Sequence, residues 1–263
     1  MKYGFIGCGN MGSALAGALS RITTDIAVCD RNPEKAKALA EKYKLQATDL
    51  QEVCESCERI FLAIKPQGLD KLADDIYDII VKNRPVIITM LAGVNTATVG
   101  RLFSEELPVI RIMPNTPVGV GEGVVLYCGN AFADEALIND FLNDMQFAGS
   151  LIKLDEELID AGCAVSGCGP AYMYMMADAV AAAGEKCGIE RNTAVRLAAL
   201  TMLGSARMML ESEKSPEQLK TDVCSPGGST IEGVKVLKNA SFKDTVSSAV
   251  EAAYRRNREL GGN

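Results

Sequence analysis

Short apolar runs alternate with longer amphipathic segments along the first 153 residues of the chain. The apolar runs predict strands buried in a sheet, at residues 2–6, 25–29, 59–64, 86–90 and 109–113, with two more near 124–128 and 149–153. Helical spacing between them predicts helices at residues 33–43, 68–82, 96–104 and 133–145. This alternation predicts an α/β domain with a doubly wound sheet over residues 1–153.

The strand pattern ends after residue 154, and the remaining chain has helical spacing only. Apolar residues recur at helical intervals through a predicted helix over residues 192–211, and a last helix is predicted to begin near Ser241. We therefore interpret residues 154–263 as a second, all-helical domain.

The most apolar stretch, residues 165–183, has Asp178 as its single charged residue. Pro170 has a fixed φ and no N–H, so a glycine-rich loop over residues 166–169 is predicted to precede a helix that begins there. A helix apolar on nearly every side must be covered on every side, so we expect it in a core or a subunit interface. The loop would leave the helix N-terminus open to a nucleotide, a substrate or another backbone.

Two further segments carry signals for helix starts. Residues 215–218, Ser-Pro-Glu-Gln, have the spacing of a capping box with proline in the first helical position. Ser229 and Glu232 have the same spacing, which predicts that residues 227–230 lie at an exposed helix N-terminus. A plain turn between two helices is the alternative interpretation.

A glycine motif follows the first predicted strand and opens the first predicted helix. Gly7, Gly9 and Gly12 form G-x-G-x-x-G, and Asp30 ends the next strand. In this context the glycines allow a tight turn and close approach of a pyrophosphate, and the helix N-terminus supplies N–H groups to the phosphates. The pattern indicates a Rossmann-type dinucleotide-binding domain. Ligands of such sheets bind at the carboxyl ends of the strands, where residues 63–66 and 92–93 also lie.

Asp30 and its neighbours give opposite indications about the dinucleotide. A carboxylate here favours the ribose 2′-hydroxyl of NAD and repels a 2′-phosphate. Arg31 and Asn32, directly behind it, are able to hold that phosphate instead. The local sequence leaves NADPH and NADH both open.

Charge and composition exclude several classes of function. A net charge of −7 argues against a nucleic-acid or anionic-membrane surface, and no apolar run is long enough to span a membrane. The nine cysteines are odd in number and scattered, so we expect reduced thiols in a cytoplasm. Cys54 and Cys57 form a lone C-x-x-C in a chain without histidine, so no metal site is expected and mechanisms that need a catalytic histidine are excluded.

Several motifs together resemble the pyrroline-5-carboxylate reductase family, and the resemblance covers essentially the whole chain. They are Phe5–Met11, Ala63–Gln67, Ala92–Val94, Arg111–Pro117, Ser166–Tyr172, Leu210–Glu211 with Leu219–Lys220, and Ser225–Ile231. The resemblance implies reduction of 1-pyrroline-5-carboxylate to L-proline with NAD(P)H, and a helical domain that interlocks two subunits. It also implies a usual preference for NADPH. Residues 164–211 carry more apolar surface than one small helical domain can cover, so we predict a homodimer or a larger ring built through them.

The resemblance and the chemistry also nominate site residues. Thr230 matches a hydroxyl near the imine nitrogen and is the catalytic candidate, and the expected substrate-binding residues are Glu213, Ser225, Gly228, Ser229 and Thr230. For Glu213, a solvated surface carboxylate is the alternative. The expected cofactor-binding residues are Ile6, Gly7, Cys8, Gly9, Asn10, Met11, Asp30, Arg31, Asn32, Ala63, Ile64, Lys65, Pro66, Ala92 and Gly93.

Two positions depart from the family pattern. The family commonly has Asn ahead of the third helix, where this chain has Thr48, Asp49 and Leu50, and it usually has Ala where this chain has Gly12. The first departure leaves the contacts to the adenosine side of the cofactor open.

Two other functions remain as alternatives. A β-hydroxyacid dehydrogenase has similar architecture but carries a catalytic Lys shortly after a glycine-rich turn, whereas the first Lys after Pro170 here is Lys186. A non-catalytic nucleotide-binding regulator could share the fold, and the intact segment 225–231 argues against it.

Overall fold

The computed structural model describes residues 1–260, so the last three residues of the predicted helical domain lie outside the described part. The chain divides into two compact units. The first comprises Met1–Cys168 with residues 253–260, and the second comprises Gly169–Ala252.

The first unit is built on one eight-stranded sheet in the order β3-β2-β1-β4-β5-β6-β7-β8. The strands are β1 (Tyr3–Ile6), β2 (Ile26–Cys29), β3 (Gln46–Ala47), β4 (Arg59–Leu62), β5 (Val86–Thr89), β6 (Val109–Pro114), β7 (Gly123–Gly129) and β8 (Gly149–Lys153). All neighbours are parallel except β6 and β7, which are antiparallel. Only a short 3₁₀ turn, Thr116–Val120, joins those two strands, and a parallel crossover needs a much longer connection.

Six helices cover the two faces of this sheet. They are α1 (Asn10–Leu19), α2 (Pro33–Tyr43), α3 (Leu50–Ser56), α4 (Leu69–Asn83), α5 (Thr96–Leu102) and α6 (Glu135–Asp144). Phe5 and Ile6 are successive residues of β1 and enter different cores, because side chains of a strand alternate between its faces. The core around Phe5 includes side chains of α1, α2 and α6, and the core around Ile6 includes side chains of α3, α4 and α5.

The first unit extends past residue 153, where the sequence interpretation placed the domain boundary. The last strand does end there, but α7 (Ile159–Gly162) stays with the sheet. Ile159 and Cys163 pack in a small core with Met113, Leu126 and Cys128. The end of the chain also returns, since the Asn257 side-chain amide donates to the Asp160 carbonyl at 3.1 Å. The sequence pattern located the last strand but not these contacts of the following turns.

The second unit is helical throughout its described elements. They are α8 (Gly169–Lys186), α9 (Arg191–Glu211), α10 (Pro216–Asp222), α11 (Ser229–Asn239) and the first part of α12 (Phe242–Leu260). The capping box predicted at residues 215–218 is present at the start of α10. Burial is slight: the buried apolar side chains of the described unit are Ala181, Ala194 and Ala198. Large side chains such as Leu210 and Met175 are 87% and 73% exposed.

The glycine-rich loop predicted at residues 166–169 is wrong. Residues Cys163–Gly167 form a π-helical turn between α7 and α8, and Cys168 also has helical φ and ψ. Neither Gly167 nor Gly169 has positive φ. Pro170 therefore does not start a helix after a loop, and the open N-terminus expected in front of it does not exist.

Candidate functional site

The glycine motif brings β1, α1 and the end of β4 into close contact. Gly7 has φ +109°, and a Cβ there would lie 2.4 Å from the Ala63 carbonyl oxygen. A Cβ on Gly12 would lie 2.4 Å from the Gly7 carbonyl oxygen. A Cβ on Gly9 would meet no atom within 4 Å. Gly7 and Gly12 thus allow α1 to pack closely against the ends of β1 and β4, and Gly9 leaves the outer side of the loop open.

The N-terminus of α1 faces this opening without a side-chain cap. Gly9 is its N-cap residue, and no side chain bonds to the first turn. The N–H groups of Asn10, Met11 and Gly12 have no acceptor within their helix, because the first turn of any helix lacks one. Unpaired N–H groups and the positive end of the helix dipole make this a site for a phosphate.

Asp30 fixes the loop from the end of β2. Its carboxylate accepts the Cys8 backbone N–H at 2.7 Å and the Asn32 backbone N–H at 2.9 Å. The Asn32 side chain accepts the Glu34 N–H at 3.1 Å and so caps α2. Arg31 is exposed, with no hydrogen bond or ion pair to another described residue. Arg31 therefore has its whole side chain available for a ligand, and Asn32 has its side-chain N–H groups available.

Cys8 lies in the loop but is not a nucleophile. Burial, with the charge of Asp30 second, raises the pKa of its thiol to about 11. Because the thiolate is the reactive form, a thiol that stays protonated at neutral pH is inert. The side chain fills space behind the loop, where it contacts the Cys29 carbonyl at 3.6 Å.

The remaining cofactor candidates follow the neighbouring strands. Residues 63–66 come directly after β4, and Ala92 and Gly93 follow β5, with Gly93 at φ +73°. The strands β2, β1, β4 and β5 are adjacent and parallel, so their carboxyl ends meet at one edge of the sheet. The structure thereby brings all fifteen predicted cofactor residues to that edge. The switch between β1 and β4 is the position where dinucleotides bind in this kind of sheet.

Asn115, which the sequence pattern did not identify as a site residue, lies at the same edge directly after β6. It is 6% exposed, and its side-chain amide donates to the Ser166 carbonyl at 3.0 Å and accepts the Val124 N–H at 2.8 Å. The partners are 51 and 9 residues away in the chain. A proline four residues after Ser166 was the available signal, since it removes that carbonyl's helical partner.

A second group that the sequence pattern did not identify is Arg111 with its two carboxylate partners, Asp160 and Glu156. Arg111 of β6 is 2% exposed and donates to the Asp160 carboxylate at 2.6 Å. Glu156 lies 3.8 Å from the same guanidinium and also accepts the Thr96 N–H and hydroxyl. Because removing one partner would leave a buried charge unpaired, this group ties the turns after β8 to the sheet.

The segment 225–231 forms the N-terminus of α11, as predicted, but without the predicted side-chain cap. Gly228 is the N-cap residue with no side-chain cap, and Ser229 is the first helical residue. The capping box expected between Ser229 and Glu232 is therefore wrong, and Glu232 pairs with Lys235 instead. Positive φ occurs at Gly227, at +75°, and Gly228 has φ −79°.

The five substrate candidates belong to the second unit. The side chains of Ser225, Ser229, Thr230 and Glu213 are exposed and make no hydrogen bond or ion pair to another described residue. The Ser225 carbonyl accepts the Gly228 N–H at 3.0 Å, which closes the turn. The uncapped N–H groups of Ser229, Thr230 and Ile231 are suited to bind a small anion. No cluster of metal-ligating side chains occurs among residues 1–260.

The geometry at the two helix starts fits a dinucleotide on the first unit and a small anion on the second. An open glycine, a close-packed pair of glycines and an uncapped helix are the features a pyrophosphate needs. Within residues 1–260, no helix is long and apolar enough to cross a membrane.

Comparison with known families matches both parts of the chain. A family model described as pyrroline-5-carboxylate reductase dimerisation matches residues 156–260, and one described as NADP oxidoreductase coenzyme F420-dependent matches residues 2–93.

Similar proteins match over nearly the full length. The pyrroline-5-carboxylate reductase of Synechocystis is 36% identical, with 99% of this chain and 98% of that protein covered. The Escherichia coli reductase is 35% identical, with 98% of each covered. The crystal structure of Plasmodium falciparum pyrroline carboxylate reductase with NADP bound superimposes with a TM-score of 0.91 at 30% identity, covering 99% of this chain and 98% of that one.

Proposed function

Because this chain belongs to the pyrroline-5-carboxylate reductase family, we propose that it reduces 1-pyrroline-5-carboxylate to L-proline with NADPH, the last step of proline biosynthesis. The observation that carries the proposal is the open glycine loop before an uncapped α1, in a chain that matches these reductases over nearly its whole length. The reaction adds a hydride to the carbon of the C=N bond, which becomes C5 of proline, and a proton to the ring nitrogen.

The cofactor is held along the carboxyl edge of the first unit. The N–H groups at the start of α1 bind the pyrophosphate, and Ile6, Gly7, Cys8 and Gly9 provide the turn beneath it. The loops after β4 and β5, with Ala63–Pro66 and Ala92–Gly93, border the same edge. Reduced nicotinamide supplies the hydride when bound there.

NADPH is the preferred donor in this proposal, and NADH is usable. Arg31 is exposed and unengaged, so its guanidinium is free to pair with a 2′-phosphate. Both oxygens of Asp30 accept backbone N–H groups, which directs the carboxylate toward the loop. The Asn32 side chain caps α2 through its oxygen and keeps its amide N–H groups for a ligand.

The substrate is held at the start of α11. Its carboxylate accepts N–H groups of Ser229 and Thr230, and the Thr230 hydroxyl bonds at the ring nitrogen. A cyclic imine is readily protonated, and the iminium accepts a hydride without a strong acid from the protein. A protein without histidine can therefore catalyse this reduction, because it must supply the position of the imine relative to the nicotinamide and charges that bind the substrate. Glu213, Ser225 and Gly228 complete the proposed binding residues.

Self-association completes the proposal, as a homodimer or a larger ring. The second unit exposes long apolar side chains that its own helices leave uncovered, and exposed apolar patches of this kind mark interfaces. The nine cysteines are all unpaired, which supports a reducing compartment, and we assign the protein to the cytoplasm.

The first experiment is a spectrophotometric assay of NADPH oxidation with 1-pyrroline-5-carboxylate. We expect imine-dependent oxidation of NADPH, and no reduction of NADP⁺ when β-hydroxyacids are supplied in its place. Cofactor binding without turnover of the imine would favour a non-catalytic nucleotide-binding protein.

A further inference from the structure

Pro170 creates a defect in the helical backbone at the carbonyl of Ser166. In an α-helix that carbonyl would accept the N–H of the residue four positions later. Proline has no N–H, and its ring crowds the carbonyl. The π turn ahead of it changes the register, since the Cys168 N–H reaches the Cys163 carbonyl, five residues back, at 2.9 Å. The Ser166 carbonyl is thus left without a backbone donor at a partly buried position.

Asn115 supplies the missing donor from the sheet. Its side-chain N–H lies 3.0 Å from the Ser166 carbonyl oxygen, while its side-chain oxygen accepts the Val124 N–H. The backbone N–H of Asn115 also reaches the Val124 carbonyl at 3.1 Å. Donor and acceptor ends have different partners, so the amide is held in one orientation. An apolar side chain at this position would leave the Ser166 carbonyl and the Val124 N–H without these partners, and unpaired polar groups are costly in a protein interior.

The bond is placed where it affects the reacting end of the cofactor. Asn115 follows β6, and β6 is parallel to β5, so their carboxyl ends share the edge described above. The adenosine side of a dinucleotide lies toward β2 in such sheets, which leaves the β5 and β6 side for the nicotinamide. The Ser166 hydroxyl donates to the Gly162 carbonyl at 3.0 Å, so it is not available to a ligand. The turn therefore affects the reaction through where its backbone lies.

We propose that Asn115 is a positioning residue: its amide replaces the N–H that Pro170 lacks and holds the turn Cys163–Gly167 at the cofactor edge, in the position that rapid imine reduction requires. This inference rests on the proposed function. It requires no contact between Asn115 and the substrate, and it predicts that a donor restored within the helix will compensate for loss of the amide.

The test is a double-mutant cycle of Asn115→Leu and Pro170→Ala. Leucine has a similar size and no donor, whereas Pro170→Ala returns an N–H four residues after Ser166. We expect Asn115→Leu to lower kcat roughly 10- to 100-fold, the range for a misplacement of about 1 Å, with the Kd of NADPH changed less than about two-fold. Adding Pro170→Ala should recover several-fold of the loss. Pro216→Ala is the matched control, because that proline is the first residue of a helix already capped by Ser215.

The outcomes separate the inference from the function. Recovery by Pro170→Ala and none by Pro216→Ala would support the inference. A folded Asn115→Leu enzyme with kcat near wild type, or equal recovery with both alanines, would overturn it while leaving the function intact. If Asn115→Leu does not fold, Asn115→Ser replaces it, since a hydroxyl is too short to span both partners. A wild-type enzyme inactive toward the imine would overturn the proposed function.

Discussion

The Asp30 carboxylate accepts the backbone N–H of Cys8 at 2.7 Å, which links the end of β2 to the loop that follows β1. An acid at this position is usually considered for its effect on the cofactor ribose. Here it also maintains the shape of the glycine loop, so its charge and its hydrogen-bonding role have to be separated experimentally.

Asp30→Asn removes the negative charge while its single amide oxygen still accepts the Cys8 N–H, so the bond that is lost is the one from the Asn32 N–H. We expect kcat/KM for NADPH relative to NADH to rise roughly ten-fold, equivalent to ~1.4 kcal/mol and within the repulsion of charges about 4 Å apart. Asp25→Asn is the control, since Asp25 accepts the Lys2 N–H at the opposite end of β2. An unchanged ratio in Asp30→Asn would show that the carboxylate does not face the 2′-phosphate.

Thr230 has no hydrogen-bond partner among the described residues and is not a cap, so its loss should not weaken the fold. We expect Thr230→Ala to lower kcat/KM for the imine roughly 10²-fold, as for other positioned donors, with an unchanged melting temperature. Thr230→Ser keeps the hydroxyl and should retain most activity. Full activity in Thr230→Ala would refute the catalytic assignment.

Stability at low pH should depend on Asp144, which accepts hydrogen bonds from Tyr3 and pairs with Lys2 at 2.6 Å. Burial alone would raise the pKa of this carboxyl, but the bonds from Lys2 and Tyr3, aided by the charge of Arg59, hold the pKa below its ordinary value. A folded-state pKa below the unfolded one, about 3.9, stabilises the protein above that pH. The stabilisation is lost as pH falls through the folded pKa.

Asp144→Asn should therefore be less stable than wild type at pH 7, by roughly 1–3 kcal/mol, and the difference should shrink below about pH 4. Asp140→Asn, which removes an exposed partner of Arg59, should cost less. Denaturant unfolding at several pH values measures both. A constant difference between wild type and Asp144→Asn across the acid range would contradict the linkage.

Assembly should depend on the apolar surface of the second unit. We expect light scattering to give at least twice the chain mass at micromolar concentration, and Leu210→Asp to reduce it. Val120→Asp is the matched control, since Val120 of the first unit is also largely exposed, at 72%. A folded, active monomer of the wild-type chain would refute the assembly proposal.

The sequence predicted those parts of the fold that follow from local pattern. Buried strands such as β1 and β4 appear as apolar runs, and the glycine motif located the start of α1 because close packing at Gly7 and Gly12 tolerates no side chain. The capping box at Ser215 is likewise complete within four residues.

The parts it missed depend on partners distant in the chain. The loop expected before Pro170 is a π turn because Asn115 satisfies the Ser166 carbonyl from 51 residues away. The antiparallel direction of β7 follows from the short connection between β6 and β7. In the sequence, Arg111 is a charged residue within an apolar strand, and its partner Asp160 lies 49 residues later in the chain. Periodicity reports which face is apolar and carries no information on such partners.

Isotope transfer tests the central claim most directly. The purified protein is incubated with 1-pyrroline-5-carboxylate and NADPH that carries two deuterium atoms at C4 of the nicotinamide, and the product is analysed by mass spectrometry. We expect L-proline with one deuterium at C5, formed in equal amount to the NADP⁺ and not formed when the imine is omitted. NADPH oxidation without labelled proline, or no oxidation in the presence of the imine, would contradict the account.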